Sequence, residues 1–401
     1  MNTAGARTLD ANRLRGPALA IAAIGIAFGA IRIFGRFDYG YDFAVYRVAG
    51  DAVVHHESLF GPWIGQHLTH PLPFTYPPLA AVFAVPFALI GDHLGYALWN
   101  VASVVALVFV VRASTKPLVR RFTSAGLALA VLCAIAIALT PVQDEIGFGQ
   151  VGIVLMAMCF FDCLPHKTRL PRGVLVGAAT AIKLVPGIFI PYLWLSGRRR
   201  AAAVATATFV TLTLAGAALT PTDSKTFWTS RVFDNSRVGS IGYVSNQSLN
   251  GMLVRAFGPH VNVLWFVLAT VVVVFGLRRA AIASRRGQEL NGIALAALVG
   301  LLASPVSWIH HLVWIVPVLA VLVGNATDRR RVALAATIAL LFALRLPYLG
   351  DNIPPGWHLG WVAALLRDSY GLLCVLLLFT LARLASAPRA PSPQPDAQSA
   401  A

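Results

Sequence analysis

The chain has 401 residues, of which 57% are hydrophobic and only 12% are charged. That charge content and a mean hydropathy of +0.72 exclude an ordinary soluble domain, in which roughly 25% of the residues are charged. The formal net charge of +16 does not indicate nucleic-acid binding, because the basic residues form short clusters between apolar runs. The composition therefore predicts an integral membrane protein.

Apolar runs of about 20 residues, the length that crosses a bilayer as a helix, recur along the chain. Basic clusters, such as those at 198–200 and 329–331, orient these runs with their charged ends in the cytoplasm. We predict an all-α polytopic membrane protein with about ten full transmembrane helices. The predicted spans lie at about 17–35, 94–112, 124–141, 148–164, 201–220, 261–278, 288–303, 308–324, 331–347 and 369–386.

These spans form one predicted transmembrane domain at 17–386, preceded by a cytoplasmic N-terminus at 1–16. Residues 387–401 are rich in Pro, Ser and Ala and are predicted to be a disordered cytoplasmic tail. Two longer polar segments, 36–76 and 221–260, are predicted to be extracytoplasmic loops.

Two apolar stretches do not fit as full crossings. One follows Tyr76, is short, and contains Pro78 and Pro86; the other, 173–196, is split by "KLVPG", which begins at Lys183. Counting either as a crossing places a basic cluster on the outer side. We therefore predict two re-entrant or broken helices, which indicate a polar cavity, since irregular backbone at membrane depth must be covered by protein or water. A kinked structural helix is the alternative.

With this topology, most acids and all histidines except His166 lie on the outer face, so chemistry is expected there. The stretch "GYDFAVYR" after the first span predicts an amphipathic surface helix. Asp42 stands at its start, either as an N-cap or as a carboxylate base at the membrane boundary. The loop histidines after this helix lack the compact spacing of metal ligands, so no metal site is predicted.

Four further outer features contribute candidate binding residues. Tyr76 suits the membrane interface, because its ring is apolar and its hydroxyl is polar. The Gln150 amide in "GFGQVG" needs a hydrogen-bonding partner or a sugar hydroxyl. The acids at 144–145 fit an ordinary solvated loop. The segment 221–255 mixes aromatic rings with amides and arginines, as carbohydrate and phosphate sites do, and as an ordinary amphipathic loop also does. In "SPVSWIHHL", a histidine pair at the mouth of an apolar helix favours a functional site. The candidate binding residues are His310, His311, Lys183, Arg237, Tyr76, Gln150, Asn246 and Gln247.

Taken in order, "YDFAVYRVAG", "FTYPPLAAV", "GFGQVG", "AIKLVPG", "SNQSLNG" and "SPVSWIHH" resemble glycosyltransferase family 87. Members of that family are polyprenyl-phosphate-mannose-dependent α-mannosyltransferases with the membrane glycosyltransferase-C fold. The resemblance implies that Asp42 is the catalytic base and that His310 and His311 belong to the active site. One departure is Gly152, where the family often has Asn.

The residues and the resemblance together imply an inverting transfer of mannose from polyprenyl-phosphate-mannose to a mannoside hydroxyl of an envelope glycolipid or lipoglycan. The product would carry an α-(1→2) linkage. Lys183 and Arg237 are further candidates, beside the histidines, for stabilising the leaving phosphate. No cofactor and no metal is expected, and the absence of a phosphate-loop motif argues against a nucleotide-sugar donor. The enzyme is expected in the plasma membrane with its active site on the extracytoplasmic face.

Two other functions remain open from the sequence. An arabinofuranosyltransferase that uses decaprenyl-phosphoryl arabinose would need a similar site, because only the sugar differs. A lipid or sugar transporter, or flippase, also has broken helices around a polar cavity, although its polar residues would be expected near the membrane midplane rather than on one face.

Overall fold

The computed structural model describes residues 40–61, 72–165, 169–354 and 360–386, and the predicted first span and C-terminal tail lie outside these ranges. The described chain is helical, and its only β-type pairing is an isolated bridge between Asn246 and Trp308. The α-helices are α1 Tyr41–Val54, α2 Pro78–Ala88, α3 Asp92–Ser114, α4 Lys116–Val119, α5 Ala125–Ala138, α6 Thr140–Phe148, α7 Gly152–Cys163, α8 Val174–Ile182, α9 Phe189–Leu195, α10 Arg199–Leu219, α11 Pro221–Thr229, α12 Leu249–Phe257, α13 Asn262–Arg285, α14 Glu289–Ala303, α15 Ile315–Val323, α16 Arg329–Ala343, α17 Leu346–Asp351, α18 Gly360–Arg367 and α19 Ser369–Ser386. Short 3₁₀ turns lie at Val185–Ile188, Arg231–Phe233, Asn235–Val238 and Ile309–Trp314.

Three helices, α3, α10 and α13, are long and apolar enough to cross a membrane. Two bent pairs, α5 with α6 at 76° and α18 with α19 at 60°, raise that number to five if each pair is one span. The described residues therefore agree with an all-helical membrane protein, but contain fewer helices of spanning length than the ten predicted. Several predicted runs fold as shorter helices: α7 has 12 residues and α15 has nine.

The two stretches predicted to be short or broken have that shape. Helix α2 has only 11 residues and contains Pro86. Helix α8 ends at Ile182, and Lys183 adopts an extended conformation (φ −148°, ψ 128°) before the 3₁₀ turn that leads into α9. Pro186 lies in that turn, where its missing N–H prevents regular helical bonding. Lys183 is thus placed at a helix break rather than on a helix face.

Helix α14 lies at the centre of the core. It is buried continuously from Asn291 to Leu302, and α13 and α19 pack against it. A helix that is apolar on all sides belongs inside a bundle. In contrast, α10 and α13 expose large apolar side chains, among them Leu214 (63%) and Val271 (57%), as expected for helices that face lipid.

The two predicted outer segments are joined directly to each other. Asp223 at the start of α11 accepts hydrogen bonds from the Ser58 hydroxyl (3.0 Å) and the Leu59 N–H (3.1 Å). The rings of Phe60 and Phe227 stack beside this contact with centroids 6.0 Å apart. These two segments, predicted to be separate loops, therefore pack against each other.

Close packing of α8 against α10 depends on a glycine. A Cβ atom at Gly177 would lie 2.4 Å from the carbonyl oxygen of Ala205 and 2.7 Å from Cβ of Thr208. We expect Gly177→Ala to force these helices apart and to destabilise the protein by about 1–3 kcal/mol, as overpacked cores are. Gly126→Ala in α5, where nothing lies within 4 Å, should be neutral or slightly stabilising. Thermal unfolding of both detergent-purified variants tests this, and equal midpoints would contradict it.

Candidate active site

A polar cluster forms where the ends of four helical elements meet. Asp42 lies in the first turn of α1, Gln150 lies between α6 and α7, Lys183 lies at the break after α8, and His310 and His311 lie in the 3₁₀ turn before α15. Helix α6 packs against that 3₁₀ turn and against α1. Residues far apart in the sequence are therefore brought together at helix ends, where side chains reach each other without crossing a packed helix face.

The contact between α1 and the α6–α7 junction requires a glycine. Gly149 has φ 68°, and a Cβ atom there would lie 2.6 Å from Cβ of Phe43. The Gly40 N–H also donates to the carbonyl of Gly147 at 3.0 Å. Gly40 is the N-cap of α1, and no side chain caps this helix, so the N-cap role considered for Asp42 is wrong. Its carboxyl is instead available to the cluster.

The Gln150 side chain connects Asp42 to two tyrosines. Its Oε1 accepts hydrogen bonds from the hydroxyls of Tyr46 (2.7 Å) and Tyr76 (3.2 Å), and the two phenol oxygens lie 2.9 Å apart. Because Oε1 is an acceptor in these bonds, the amide nitrogen is the atom that donates to the Asp42 carboxyl. The Trp99 indole N–H holds the Gln150 main-chain carbonyl at 3.2 Å. The amide is therefore fixed in one orientation.

Burial raises the pKa of the Asp42 carboxyl to about 6. The hydrogen bond from Gln150 and the positive charge of Lys183 act in the opposite direction and favour the ionised form. Burial, together with the nearby charge of Asp42, raises the pKa of Tyr76 well above its ordinary value, so its hydroxyl stays protonated. At neutral pH, the cluster thus presents an ionised, half-buried carboxylate that has substantial affinity for a proton.

Lys183 forms the positive side of the cluster. Its Nζ lies 2.9 Å from Nε2 of His311 and 5.2 Å from the centre of the Tyr76 ring. A protonated lysine can only donate, so this contact makes Nε2 of His311 an acceptor and leaves its proton on Nδ1. The rings of His311 and His310 meet edge to face at 4.6 Å. Ammonium and imidazole groups placed together in this way are suited to binding an anionic oxygen.

Two buried polar atoms in this region have no hydrogen-bond partner within the described ranges. They are Nε2 of His310, which is 6% exposed, and Oε2 of Glu145, which is 1% exposed. Glu145 was predicted to be a solvated loop acid, and that prediction is wrong, because "TPVQDEIGF" folds as α6 and buries it. A signal in the sequence was available: Pro141 is the second residue of α6, and proline is tolerated in the first turn of a helix but not in its interior.

Three predicted binding residues lie outside the cluster. Asn246 is fully buried: its amide nitrogen donates to the carbonyl of Ile241, and its oxygen accepts from the N–H groups of Ser248 and Ser307. Gln247 donates from its side chain to two main-chain carbonyls, those of Val244 and Arg367, and accepts from the Gly371 N–H. Arg237 donates to the carbonyl of Phe74 at 3.0 Å and lies over the Phe60 ring, at the edge of the region around Tyr76. Asn246, Gln247 and Arg237 are therefore held in place by contacts within the protein.

An apolar cavity of about 50 Å³ adjoins the positive side of the cluster. Lys183 and His311 form its polar end, and Leu155, Phe189 and Trp314 are among its apolar walls. In the part of the chain that the structure describes, no three His, Cys, Asp or Glu side chains are grouped as metal ligands. The cavity thus joins a polar end, formed by Lys183 and His311, to apolar walls.

Residues 74–305 match glycosyltransferase family 87. A polyprenol-phosphate-mannose-dependent alpha-(1-2)-phosphatidylinositol mannoside mannosyltransferase of Mycolicibacterium smegmatis is 35% identical over 345 residues, which cover 80% of this chain and 78% of that protein. The protein of the same name from Mycobacterium tuberculosis is 32% identical over 337 residues, 79% of this chain and 77% of the relative. A polyprenol-phosphate-mannose-dependent alpha-(1-2)-phosphatidylinositol pentamannoside mannosyltransferase of Mycobacterium tuberculosis is 32% identical over 335 residues, 80% of this chain and 77% of the relative. No solved structure matches the chain.

Removal of the Gln150 amide should change the titration of Asp42. Gln150→Leu deletes the donor that favours the ionised carboxyl, so we expect the pKa of Asp42 to rise above about 6. The measurement is infrared titration of the carboxyl band, identified by its absence in Asp42→Asn. Thr270→Leu on the lipid-facing helix α13 is the control and should leave this titration unchanged. An unaltered titration in Gln150→Leu would contradict the hydrogen bond.

Proposed function

This chain belongs to glycosyltransferase family 87, and we propose that it transfers mannose from polyprenyl-phosphate-mannose to a hydroxyl of a phosphatidylinositol mannoside, forming an α-(1→2) linkage. The observation that carries the proposal is that one cluster contains both the Asp42 carboxylate and the Lys183–His311 contact, which lies beside an apolar cavity. The names of the relatives give the donor and the acceptor class. An enzyme of this kind needs a base for the acceptor and a cation for the donor phosphate, and both are present.

The finer architecture is part of the proposal. We place the chain in the plasma membrane with a glycosyltransferase-C fold, about ten crossings within a single domain at 17–386, and a cytoplasmic tail at 387–401. Support comes from the basic clusters, which alternate with apolar runs as the positive-inside rule requires. In the predicted topology the polar cluster lies with the acids, on the face opposite those basic clusters, and we therefore assign the active site to the extracytoplasmic side.

Asp42 acts as the general base in the proposed reaction. Its carboxylate removes the proton from the acceptor hydroxyl while that oxygen attacks C1 of the mannosyl group, and the C1–O bond to the phosphate breaks on the opposite face. A single displacement inverts the anomeric centre, so a β-linked donor gives an α-linked product. The proton ends on Asp42, and the electron pair of the broken bond leaves with the polyprenyl phosphate.

The leaving phosphate needs positive charge and hydrogen-bond donors. Lys183 supplies the charge, and the unpartnered Nε2 of His310 is a buried nitrogen that an incoming phosphate oxygen can satisfy. His311 holds Lys183 in position through its 2.9 Å contact. Arg237 lies farther out, near Phe74, and we assign it to the entrance of the site.

The alternatives raised by the sequence are less well supported. The relatives are mannosyltransferases by name, which favours mannose over the arabinose of decaprenyl-phosphoryl arabinose. A transporter or flippase has no need of a proton acceptor at the rim of the site, and family membership argues for transfer. A lipoglycan acceptor remains compatible with the same chemistry, because it presents the same mannoside hydroxyl.

We expect Asp42→Asn to reduce mannose transfer by about 10²–10⁴-fold, since the amide cannot accept the proton. Donor binding and thermal stability should be nearly unchanged, because the substitution keeps the shape of the side chain. The matched control is Asp51→Asn on the same helix, at an exposed position, which should retain activity. Mannose transfer from polyprenyl-phosphate-mannose, followed by mass spectrometry of the glycolipid, is the assay. Turnover by Asp42→Asn at the wild-type rate would refute the base.

The pH dependence of transfer follows from the raised pKa of Asp42, about 6. The base must be ionised, so activity should be full above that value and fall as the pH decreases through it, by about tenfold per pH unit well below it. Measurement of kcat/KM between pH 4.5 and 8 tests the expectation, within ranges where the protein remains folded. An acid limb near pH 4, where an ordinary aspartate titrates, would contradict the burial of the carboxyl.

A further inference from the structure

Arg345 stands at the corner between α16 and α17 in a backbone conformation that is unfavourable for a residue with a side chain. Its φ of 52° and ψ of 37° lie in the left-handed region, where a Cβ atom crowds the neighbouring carbonyl oxygen. Glycine adopts this conformation without that cost. The Arg345 carbonyl accepts the N–H groups of Tyr348 and Leu349, so the corner also begins α17. The turn alone would thus favour glycine, and contacts of the arginine side chain have to offset the strain.

The Arg345 side chain makes an ion pair with Asp144 in α6. Its Nη1 lies 3.1 Å from Oδ1 of Asp144, and the Asp144 side chain is only 1% exposed. A carboxylate buried to this degree is stable in its ionised form only beside a cation, which Arg345 supplies. The guanidinium also lies over the Tyr348 ring, 4.6 Å from its centre. The arginine therefore joins the corner before α17 to α6.

Helix α6 extends this contact to both sides of the polar cluster. Phe148 lies four residues after Asp144, on the same face of the helix, and its ring meets the His310 ring edge to face with centroids 5.7 Å apart. Gln150, whose amide orients the Asp42 carboxyl, follows two residues after the end of α6. A shift of α6 at Asp144 would therefore displace Phe148 and Gln150 with it.

A second route leads from Tyr348 to the 3₁₀ turn that carries the histidines. The Ser245 side chain hydrogen-bonds to the Tyr348 hydroxyl, and Oγ of Ser245 accepts the N–H of Ile309 at 3.3 Å. Ile309 is the first residue of that turn. Arg345 is thus connected to α6 directly and to the 3₁₀ turn through the Tyr348 ring, so it links the two elements that hold the base and the histidines.

We propose that Arg345 is a positioning residue for sugar transfer, and that its ion pair with Asp144 keeps α6 at a fixed distance from the 3₁₀ turn. The inference rests on the proposed function, because it takes Asp42 as the base and assigns the donor phosphate to the side of Lys183 and the histidines. A misplacement of about 1 Å between reacting groups can cost about 100-fold in rate. One ion pair that sets the place of α6 is therefore enough to control turnover.

Two substitutions separate this role from a purely structural one. Arg345→Ala and Arg345→Gly both remove the ion pair, but only glycine also removes the backbone strain, so the glycine variant should melt at the higher temperature. Both should lower kcat by about 10–100-fold and leave the Kd for polyprenyl-phosphate-mannose within about threefold of the wild type. The measurements are thermal unfolding, donor binding and mannose transfer by the full-length protein in detergent. A kcat that recovers together with the melting temperature in the glycine variant would overturn the inference.

Arg345→Lys tests whether the charge carries the effect. The 3.1 Å contact joins one nitrogen to one oxygen, a geometry that an ammonium group can reproduce. We expect the kcat of this variant to be at least about 5-fold above that of Arg345→Ala, although both keep the same unfavourable backbone. Equal kcat values in the lysine and alanine variants would show that the ion pair does not position the site.

Asp144→Asn tests the other partner in a double-mutant cycle. The asparagine variant and the double variant Asp144→Asn/Arg345→Gly should both have a kcat close to that of Arg345→Gly, because each lacks the same interaction. Losses that multiply in the double variant would contradict the proposal. Should the arginine variants fail to fold, Asp144→Asn replaces them, since it keeps the shape of the side chain, and a wild-type kcat in that variant overturns the inference.

Arg331→Ala is the matched control on the same helix. Arg331 lies in the first turn of α16, is half-buried, and donates from Nε to the carbonyl of Leu322 at 3.0 Å and from Nη2 to that of Val321 at 2.6 Å. Its removal should lower the melting temperature, as the loss of a half-buried arginine does, and should leave kcat unchanged. A fall in kcat equal to that of Arg345→Ala would mean that any destabilisation of α16 slows transfer, and the inference would be refuted.

Failure of this inference can be separated from failure of the proposed function. If the wild-type protein does not transfer mannose from polyprenyl-phosphate-mannose, the proposed function and the inference both fall. If the wild type transfers mannose and Arg345→Gly does so with the same kcat, only the role of Arg345 is overturned.

Discussion

The Gln150 amide is the constraint on which the polar cluster depends. In a chain that is 57% hydrophobic, a buried polar group is stable only if its hydrogen bonds are made inside the protein. Gln150 accepts from Tyr46 and Tyr76 and donates to Asp42, so one side chain satisfies the phenols and orients the carboxyl. Rotation of that amide by half a turn would present oxygen to the carboxylate and break the network at both ends. The orientation of the Asp42 carboxyl is therefore set by an amide that two phenols hold in place.

Charge balance explains why so many ionisable groups can share a small region. Asp42 and Glu145 repel each other, and Lys183 attracts both of them. The cluster thus has two carboxylates for one ammonium, together with two histidines that neighbour it. In the proposed reaction, Lys183 would meet the negative charge of the donor phosphate.

Much of this arrangement could be predicted from the sequence, because breaks in apolar runs are visible there. The break at Lys183 follows from Pro186, and the polar residues Asp42, Tyr76 and Gln150 stand where apolar runs end. The family was also predicted correctly from the order of short motifs. Each of these signals is local, involving a few neighbouring residues, and local chemistry is preserved when the chain folds.

Features that depend on long-range contacts could not be predicted in the same way. The segment that contains Glu145 resembles a polar loop in sequence, because it is only nine residues long and includes Gln143, Asp144 and Glu145. Its burial follows from its packing against the 3₁₀ turn and α1, which the sequence does not reveal. Asn246 is a predicted binding residue, and its oxygen accepts the main-chain N–H of Ser307, 61 residues away in sequence, a contact that no local pattern indicates. The described residues contain fewer helices of spanning length than predicted for a related reason: hydropathy gives the length of an apolar run but not the point at which its helix ends.

The bonds from Asp223 to Ser58 and Leu59, with the stacked rings of Phe60 and Phe227, make the two outer segments one mechanical unit. Neither segment can therefore be exchanged alone between homologous proteins without leaving a buried carboxylate unpaired in the recipient. A chimera that exchanges these segments would have to transplant both together, and the exchange of 36–76 would replace Asp42 and Tyr76 of the polar cluster at the same time.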